Sequence, residues 1–271
     1  MKNIVFMMDI DIGGKGRYSS SRRDSYQYSI QSWKHWCDKN DCELFVLNDL
    51  LFDNEEMGIC WQRYYVYDIL EANSVDYNQV LLIDADTIVH PDCPNFFEQT
   101  DDKYVGVMTD GCYEWVNRSI SSYHNYLFKN QDKLKTWEYI NGGFQISNKK
   151  HKDFYKKIVD FYWENKDGLI YAQKTFLVGT DQTVINYLLK KHVYPFSISP
   201  PDEGYSGNNQ SQNPSHAYTY PWIGHSKDDI CRSKIIQEFK KNVTFEYLND
   251  SKLRIGYKTY LEGPKKLQMS K

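Results

Sequence analysis

Two carboxylates spaced two residues apart stand at the end of a strongly apolar run, Val80-Leu81-Leu82-Ile83-Asp84-Ala85-Asp86-Thr87-Ile88-Val89. The branched residues predict a buried strand, bounded on its N-terminal side by the polar stretch 76–79. Side chains alternate along an extended strand, so Asp84 and Asp86 are expected on one side, about 6.6 Å apart along the chain. At that spacing both reach one hard divalent cation, whose other partners are water and phosphate oxygens. Two adjacent like charges repel unless something positive lies between them, which makes Mg²⁺ or Mn²⁺ the expected reason for the pair. The implied chemistry concerns phosphates: such an ion binds a diphosphate or makes it a better leaving group.

A D-x-D spacing alone says little, and Asp9-Ile10-Asp11 repeats it. The elements that must carry the pair say more. Apolar patterning predicts strands over residues 4–8, 43–47, 79–83, 104–108 and 141–147, with a short strand over 192–196. Helical periodicity predicts helices over 24–39 (with Asp24 as cap), 61–72, 150–165, 181–191 and 230–248. Strands alternating with helices predict an α/β fold with a mostly parallel central sheet and helices on both faces. In such sheets ligands bind outside the carboxyl ends of the strands, where Asp9, Asp84 and Asp86 fall. Residues 200–221 are rich in Gly, Asn, Ser and Pro and predict a long lid or binding loop.

A length of 271 residues suits one domain over 1–250 followed by a basic tail over 251–271. The net charge of −3 argues against a nucleic-acid partner, which calls for a basic surface. Aromatics make up 16% of the chain, with 23 Tyr; core packing explains such a surplus first, and sugar-stacking clefts second. Six scattered cysteines without a C-x-x-C pair give no zinc pattern. The first residues read as a strand rather than a signal peptide, and no apolar segment approaches the roughly 18 residues that span a bilayer. A cytoplasmic location is the expectation. Residues 252–271 hold six Lys or Arg against one Glu, a pattern suited to a solvated end or to peripheral contact with an anionic membrane.

Four more segments accompany the acidic pair, in a fixed order. They are Trp61-Gln62-Arg63-Tyr64-Tyr65-Val66-Tyr67-Asp68-Ile69-Leu70, Asn141-Gly142-Gly143-Phe144-Gln145-Ile146-Ser147-Asn148, Gly179-Thr180-Asp181-Gln182-Thr183-Val184-Ile185-Asn186 and Ile223-Gly224-His225-Ser226-Lys227. With Leu82-Ile83-Asp84-Ala85-Asp86-Thr87 they resemble the GT-A glycosyltransferases, a Rossmann-like fold of nucleotide-diphospho-sugar transferases. The likeness is to the glycogenin-like and lipopolysaccharide galactosyltransferase group, glycosyltransferase family 8, over roughly residues 3–230. The resemblance implies a donor that is a nucleoside diphosphate sugar, with a lean to UDP, and transfer of a hexose to a hydroxyl of a glycan, lipid or protein acceptor, with retention.

By the same resemblance Asp84 touches the metal or the nucleotide ribose, and Asp86 and His225 are metal ligands. Arg63 and Lys227 reach the donor and its phosphates. Asn141, Gly142 and Gly143 line the sugar pocket, and Asp181 and Gln182 contact donor sugar and acceptor. The N-terminal loop has no clean match to the family; by residue type, Asp9 or Tyr18 would suit the base, and Arg17, Arg22 or Arg23 the phosphates. The late segment departs from the family order, because Gly224 precedes His225 and Lys227 follows by only two residues; His216 is a competing ligand. Each piece also has a plain reading: a turn at Asn141-Gly142-Gly143, a helix cap at Asp181 or Thr180, a solvated helix face at Arg63. Two other functions fit the pattern. The strand with D-x-D-T resembles haloacid dehalogenase-like phosphatases, with Asp84 as nucleophile and Asp86 as acid, and a catalytically silent nucleotide-sugar-binding module would carry the same residues.

Overall fold

A computed structural model describes residues 1–12, 26–100, 103–108, 113–192, 196–198, 217–219 and 223–225. The chain divides into two compact units whose pieces interleave along the sequence. The first comprises Met1–Asn3, Leu50–Leu82 and Phe97–Pro200; the second comprises Ile4–Asp49, Ile83–Phe96 and the strands beyond Pro200. The architecture is α/β, as predicted, and its strand pairings, antiparallel for Tyr104–Met108 with Ile140–Asn148 and parallel for Tyr104–Met108 with Phe196–Ile198, make the sheet mixed.

In the second unit, β1 (Lys2–Met8) lies beside β2 (Cys42–Leu47). Phe6 stacks on Phe45 with ring centres 5.5 Å apart. Helix α1 (Tyr26–Lys39) forms because Tyr28, Ser29, Ser32, Trp33, Trp36 and Cys37 line one stripe of it, at the spacing of successive helical turns. Trp33 and Trp36 are wholly buried and meet edge to face at 5.6 Å. The proposed cap Asp24 lies outside the described residues. A small antiparallel sheet, in the order β4 (Thr87–Val89), β9 (Ile223–His225), β8 (Ala217–Thr219), completes the unit. Strand β8 therefore falls inside the stretch expected to be all loop, and the predicted helix over 230–248 lies outside the described residues.

In the first unit the strand order is β3 (Tyr77–Ile83), β6 (Ile140–Asn148), β5 (Tyr104–Met108), β7 (Phe196–Ile198). β5 runs antiparallel to β6 and parallel to β7. The expected strand at 192–196 is displaced: His192 is the last residue of a helix and the strand begins at Phe196. The expected helix over 61–72 is broken into α2 (Ile59–Gln62), a 3-10 turn (Arg63–Tyr65) and α3 (Val66–Ala72). Helix α4 (Tyr113–Tyr126) has no counterpart in the prediction. Its buried stripe of Val116, Ser119, Ile120 and Tyr123 includes a serine, which blurs the apolar signal. Helix α5 (Lys152–Phe176) runs 11 residues past the expected end at 165, and α6 (Gln182–His192) closes the unit.

Tyrosine supplies much of the buried volume. Ten of the 23 Tyr are buried among the described residues, so core packing accounts for a large part of the aromatic surplus. No helix among the described residues is long and apolar enough to cross a membrane.

Helix α5 ends at Leu177 in the left-handed region, φ 52 and ψ 46, with the leucine 71% exposed. A side chain there costs roughly 1 kcal/mol and buries little in return. Leu177→Gly is expected to raise stability by about 0.5–1 kcal/mol, read as a higher denaturant midpoint. A lower midpoint would mean that the leucine covers apolar surface.

Candidate functional site

The strand ends at Ile83, as expected, but the acidic pair sits in a turn just past it, which corrects the expectation that Asp84 and Asp86 follow the alternation of an extended chain. β3 ends at Ile83, Thr87 N donates to Asp84 O at 3.2 Å, and β4 begins at Thr87. The cause is local. Aspartate suits turn positions, and the Thr87 hydroxyl also donates to Asp84 O, at 2.7 Å. The spacing of Asp84 and Asp86 is thus set by a four-residue turn rather than by strand pleat.

That turn is braced from α1. Trp33 Nε1 donates to Thr87 Oγ1 at 3.0 Å, and Val89 N donates to Ser32 Oγ at 3.2 Å. Trp36 Nε1 donates to Cys93 O at 3.0 Å and fixes the segment that follows. Asp84 is partly exposed and Asp86 is buried. The register of β4 on β9 pairs Thr87 with His225, so the backbone of the expected third ligand stands across from the residue next to Asp86. The side chain of His225 and all of Lys227, His216, Tyr18, Arg17, Arg22 and Arg23 lie outside the described residues. Asp9 is buried where β1 ends, and its N–H donates to Leu47 O at 3.0 Å.

No group of three His, Cys, Asp or Glu side chains among the described residues forms a metal cage. The donors of Asp84 and Asp86 still fit a hard divalent ion, because Mg²⁺ sites take one or two carboxylates and leave the remaining positions to water and substrate phosphate.

In the first unit three of the motifs converge. The pairing of β5 with β6 advances from Gly106 to Met108 on one strand but from Gln145 to Ile140 on the other. Between these paired positions one residue of β5, Val107, faces four of β6, residues 141–144. The Asn141-Gly142-Gly143 segment is therefore a bulge in β6, a device that turns side chains and backbone out of a sheet. Its internal bonds hold that shape: Gly143 N donates to Asn141 Oδ1 at 2.7 Å, and Gln145 Nε2 to Gly142 O at 2.7 Å. Close approach explains Gly142. A methyl group there would stand 3.3 Å from Gln182 Cβ, and Gly142 N donates to Gln182 Oε1 at 3.0 Å.

Arg63 meets the same bulge from the 3-10 turn. Its Nη1 donates to Gly142 O at 3.2 Å and its Nε to Cys60 O at 3.1 Å. Gln62, wholly buried, pins the preceding loop through bonds to Leu51 N, Phe52 O and Met57 O. Arg63 is thus a partly buried structural cation, its side chain 17% exposed, rather than the solvated helix face of the plain reading.

Asp181 occupies the position before α6, and its carbonyl accepts Ile185 N at 3.0 Å. It is 6% exposed. A buried carboxylate needs partners for its oxygens. Oδ2 accepts the Tyr64 hydroxyl at 2.8 Å, Oδ1 accepts the Thr180 hydroxyl at 2.8 Å, and Arg63 Nε lies 3.9 Å from Oδ2. The Tyr123 hydroxyl ties down the incoming loop through Gly179 O and Thr180 O, at 2.7 and 3.1 Å.

The last residue of the segment 179–186 joins two elements of the unit. Asn186 accepts Ile140 N at 2.8 Å and donates to Ile140 O at 3.0 Å, stapling α6 to β6 just before the bulge. Sequence reasoning named Arg63, Asn141, Gly142, Gly143, Asp181 and Gln182 but missed Tyr64, Thr180 and Asn186 as groups that hold this cluster, and Thr87 as the group that holds the turn at Asp84. Each of those lies inside a quoted segment, and the signal was a hydroxyl or amide one to five residues from a proposed site residue.

The chain is similar to a glycosyltransferase involved in the glycosylation of the major capsid of PBCV-1, with 11% identity and a TM-score of 0.45 over 74% of this chain and 82% of that one. It is also similar to the glycosyltransferase GlyE of Streptococcus pneumoniae TIGR4. The apo form gives 13% identity, a TM-score of 0.40, and coverage of 73% and 45%; another GlyE structure gives 14%, 0.40, and coverage of 74% and 46%. The chain spans less than half the length of the GlyE chains. No protein-family profile and no curated protein matches it. Likenesses this distant leave the functional argument to the residues themselves.

Proposed function

We propose that this chain is a glycosyltransferase that moves a hexose from a nucleoside diphosphate sugar, with UDP as the carrier, to an acceptor hydroxyl with retention at the anomeric carbon. One observation carries the reading. Arg63, the Asn141-Gly142-Gly143 bulge and the Asp181-Gln182 pair lie far apart in sequence, yet they meet through direct hydrogen bonds and one ion pair in the first unit. A fold that needed only a turn, a cap and a surface arginine has no reason to bring these three together.

The roles follow from the chemistry of the groups. Asp84 and Asp86, with His225, would hold Mn²⁺ or Mg²⁺, and Lys227 would meet phosphate. Such an ion, when bound, stabilises the negative charge that grows on a departing diphosphate. Asp181 is a carboxylate fixed in a largely water-excluded setting, suited to stabilise positive character at an anomeric carbon. The bulge offers Asn141 and backbone groups to sugar hydroxyls, and Gln182 holds the bulge in place.

A thermal-shift panel of nucleoside diphosphates and their hexoses, with and without Mn²⁺, tests the proposal. At a ligand concentration of about 100 Kd, binding contributes about 2.7 kcal/mol, or roughly 5–10 °C for a chain of this size. The expected result is a Mn²⁺-dependent rise with UDP and a UDP-hexose, lost in Asp86→Ala together with metal-dependent transfer. No rise with any nucleotide, or an equal rise in EDTA and in the variant, overturns it. Release of phosphate from simple esters without an acceptor would favour the phosphatase instead.

A further inference from the structure

The carboxylate of Asp181 takes two hydroxyl donors that differ in kind. Thr180 is its chain neighbour, so that bond is local and joins no second element to the carboxylate. Tyr64 comes from 117 residues away, is 1% exposed, and donates to the other oxygen at 2.8 Å. The phenol is held in turn by its ring. Tyr64 packs against Trp61 at 6.3 Å and Tyr155 at 6.0 Å, and it sits in the 3-10 turn that also carries Arg63. A tight turn interrupting two helices fixes both side chains at once: Arg63 lies on the Gly142 carbonyl and 3.9 Å from Asp181, and Tyr64 lies on Asp181.

We infer that Tyr64 is the positioning residue of this site, its hydroxyl fixing the rotamer of Asp181 so that the free lone pairs of that carboxylate face one direction. The inference rests on the reading of Asp181 as the group that meets the donor sugar. Carboxylate rotation about its last torsion is soft, and the bond from the neighbouring threonine reaches only one of the two oxygens. The long-range bond from a rigid aromatic cluster removes that freedom. Burial first, and the adjacent Asp181 charge second, push the Tyr64 phenol well above its ordinary range. It therefore remains a donor and never competes for the proton. Sequence reasoning passed over this residue because a tyrosine in an aromatic-rich helix segment looks like core.

The test uses the full chain and two matched variants. Tyr64→Phe deletes the hydroxyl and keeps the ring. Tyr67→Phe does the same to a neighbour of equal burial whose hydroxyl goes to Ser147 Oγ at 2.7 Å and Asn148 O at 2.9 Å, away from Asp181. Transfer from a UDP-hexose is measured in both, beside melting temperature and the ¹³C signal of the Asp181 carboxyl group. Misplacement of a reacting group by an ångström costs up to about 10²-fold. Tyr64→Phe is expected to lower kcat by roughly tenfold or more with KM within about threefold, and to shift the Asp181 signal. Tyr67→Phe is expected to lose comparable stability while keeping kcat and the signal.

Equal kcat losses in the two variants, or an unchanged kcat in Tyr64→Phe, overturn the inference. If the wild-type protein transfers no sugar, the proposed function fails and the carboxyl signal alone decides: a shift confined to Tyr64→Phe supports the positioning role, and an unshifted signal refutes it.

Discussion

Asp181→Asn is expected to lower sugar transfer by at least about 10²-fold, the scale set by removing one preorganised electrostatic partner from an active site. The change is small in shape. An amide oxygen still accepts the Tyr64 hydroxyl, and the Thr180 hydroxyl can turn from donor to acceptor. What disappears is the negative charge, and with it any stabilisation of positive character on the sugar. Arg63 also loses the anion 3.9 Å from its Nε, though its bonds to Gly142 O and Cys60 O remain. Single-turnover rates with a UDP-hexose and Mn²⁺ give the chemical step, and a circular dichroism spectrum checks the fold. Turnover within about threefold of wild type would remove Asp181 from the mechanism.

A second large effect concerns stability. Trp33 is wholly buried, packs edge to face on Trp36, and donates its indole N–H to Thr87. Trp33→Ala removes that volume and leaves a cavity, at a cost of about 3–5 kcal/mol. At roughly 2–4 °C per kcal/mol for a protein of this size, the melting temperature falls by roughly 6–20 °C. The loss reaches the acidic turn, because Thr87 bridges the indole to the Asp84 carbonyl. Mn²⁺-dependent stabilisation by nucleotide is therefore expected to weaken along with the melting temperature. Scanning calorimetry with and without UDP and Mn²⁺ separates the two, and a variant with unchanged melting would mean that the indole is dispensable to the core.

Much of this could be read from residue patterns, and the exceptions are physical. Strands at 104–108 and near 2–8, 42–47 and 140–148 were legible because apolar runs with few competing signals force burial. The end of β3 at Ile83 was legible as well, but the turn that sets Asp84 and Asp86 was not, since its driving bond, Thr87 to Asp84 O, involves one hydroxyl. Helix α4 escaped because Ser119 occupies a core-facing position. Helix α5 was cut short at 165 although it continues through Gly168, where a methyl group would stand 3.3 Å from Leu127 Cδ2. That glycine, a helix weakener by propensity, allows a close contact instead. Arg63, Gly142, Asp181 and Gln182 were named as site residues from motif order. Their mutual bonding depends on a bulge and a 3-10 turn, neither of which has a pattern in the sequence.

The interleaving of the two units constrains how the chain can acquire its structure during synthesis. The path passes between them five times, after residues 3, 49, 82, 96 and 200. A ribosome-bound fragment ending near residue 100 therefore holds an incomplete portion of both cores and a whole copy of neither. Strand β3, apolar along most of its length, waits for β6 to be made before its neighbour in the first unit exists. A cut between residues 83 and 140 separates β3 from β6 and leaves apolar strand surface uncovered, so splitting the chain there requires co-expression of both pieces.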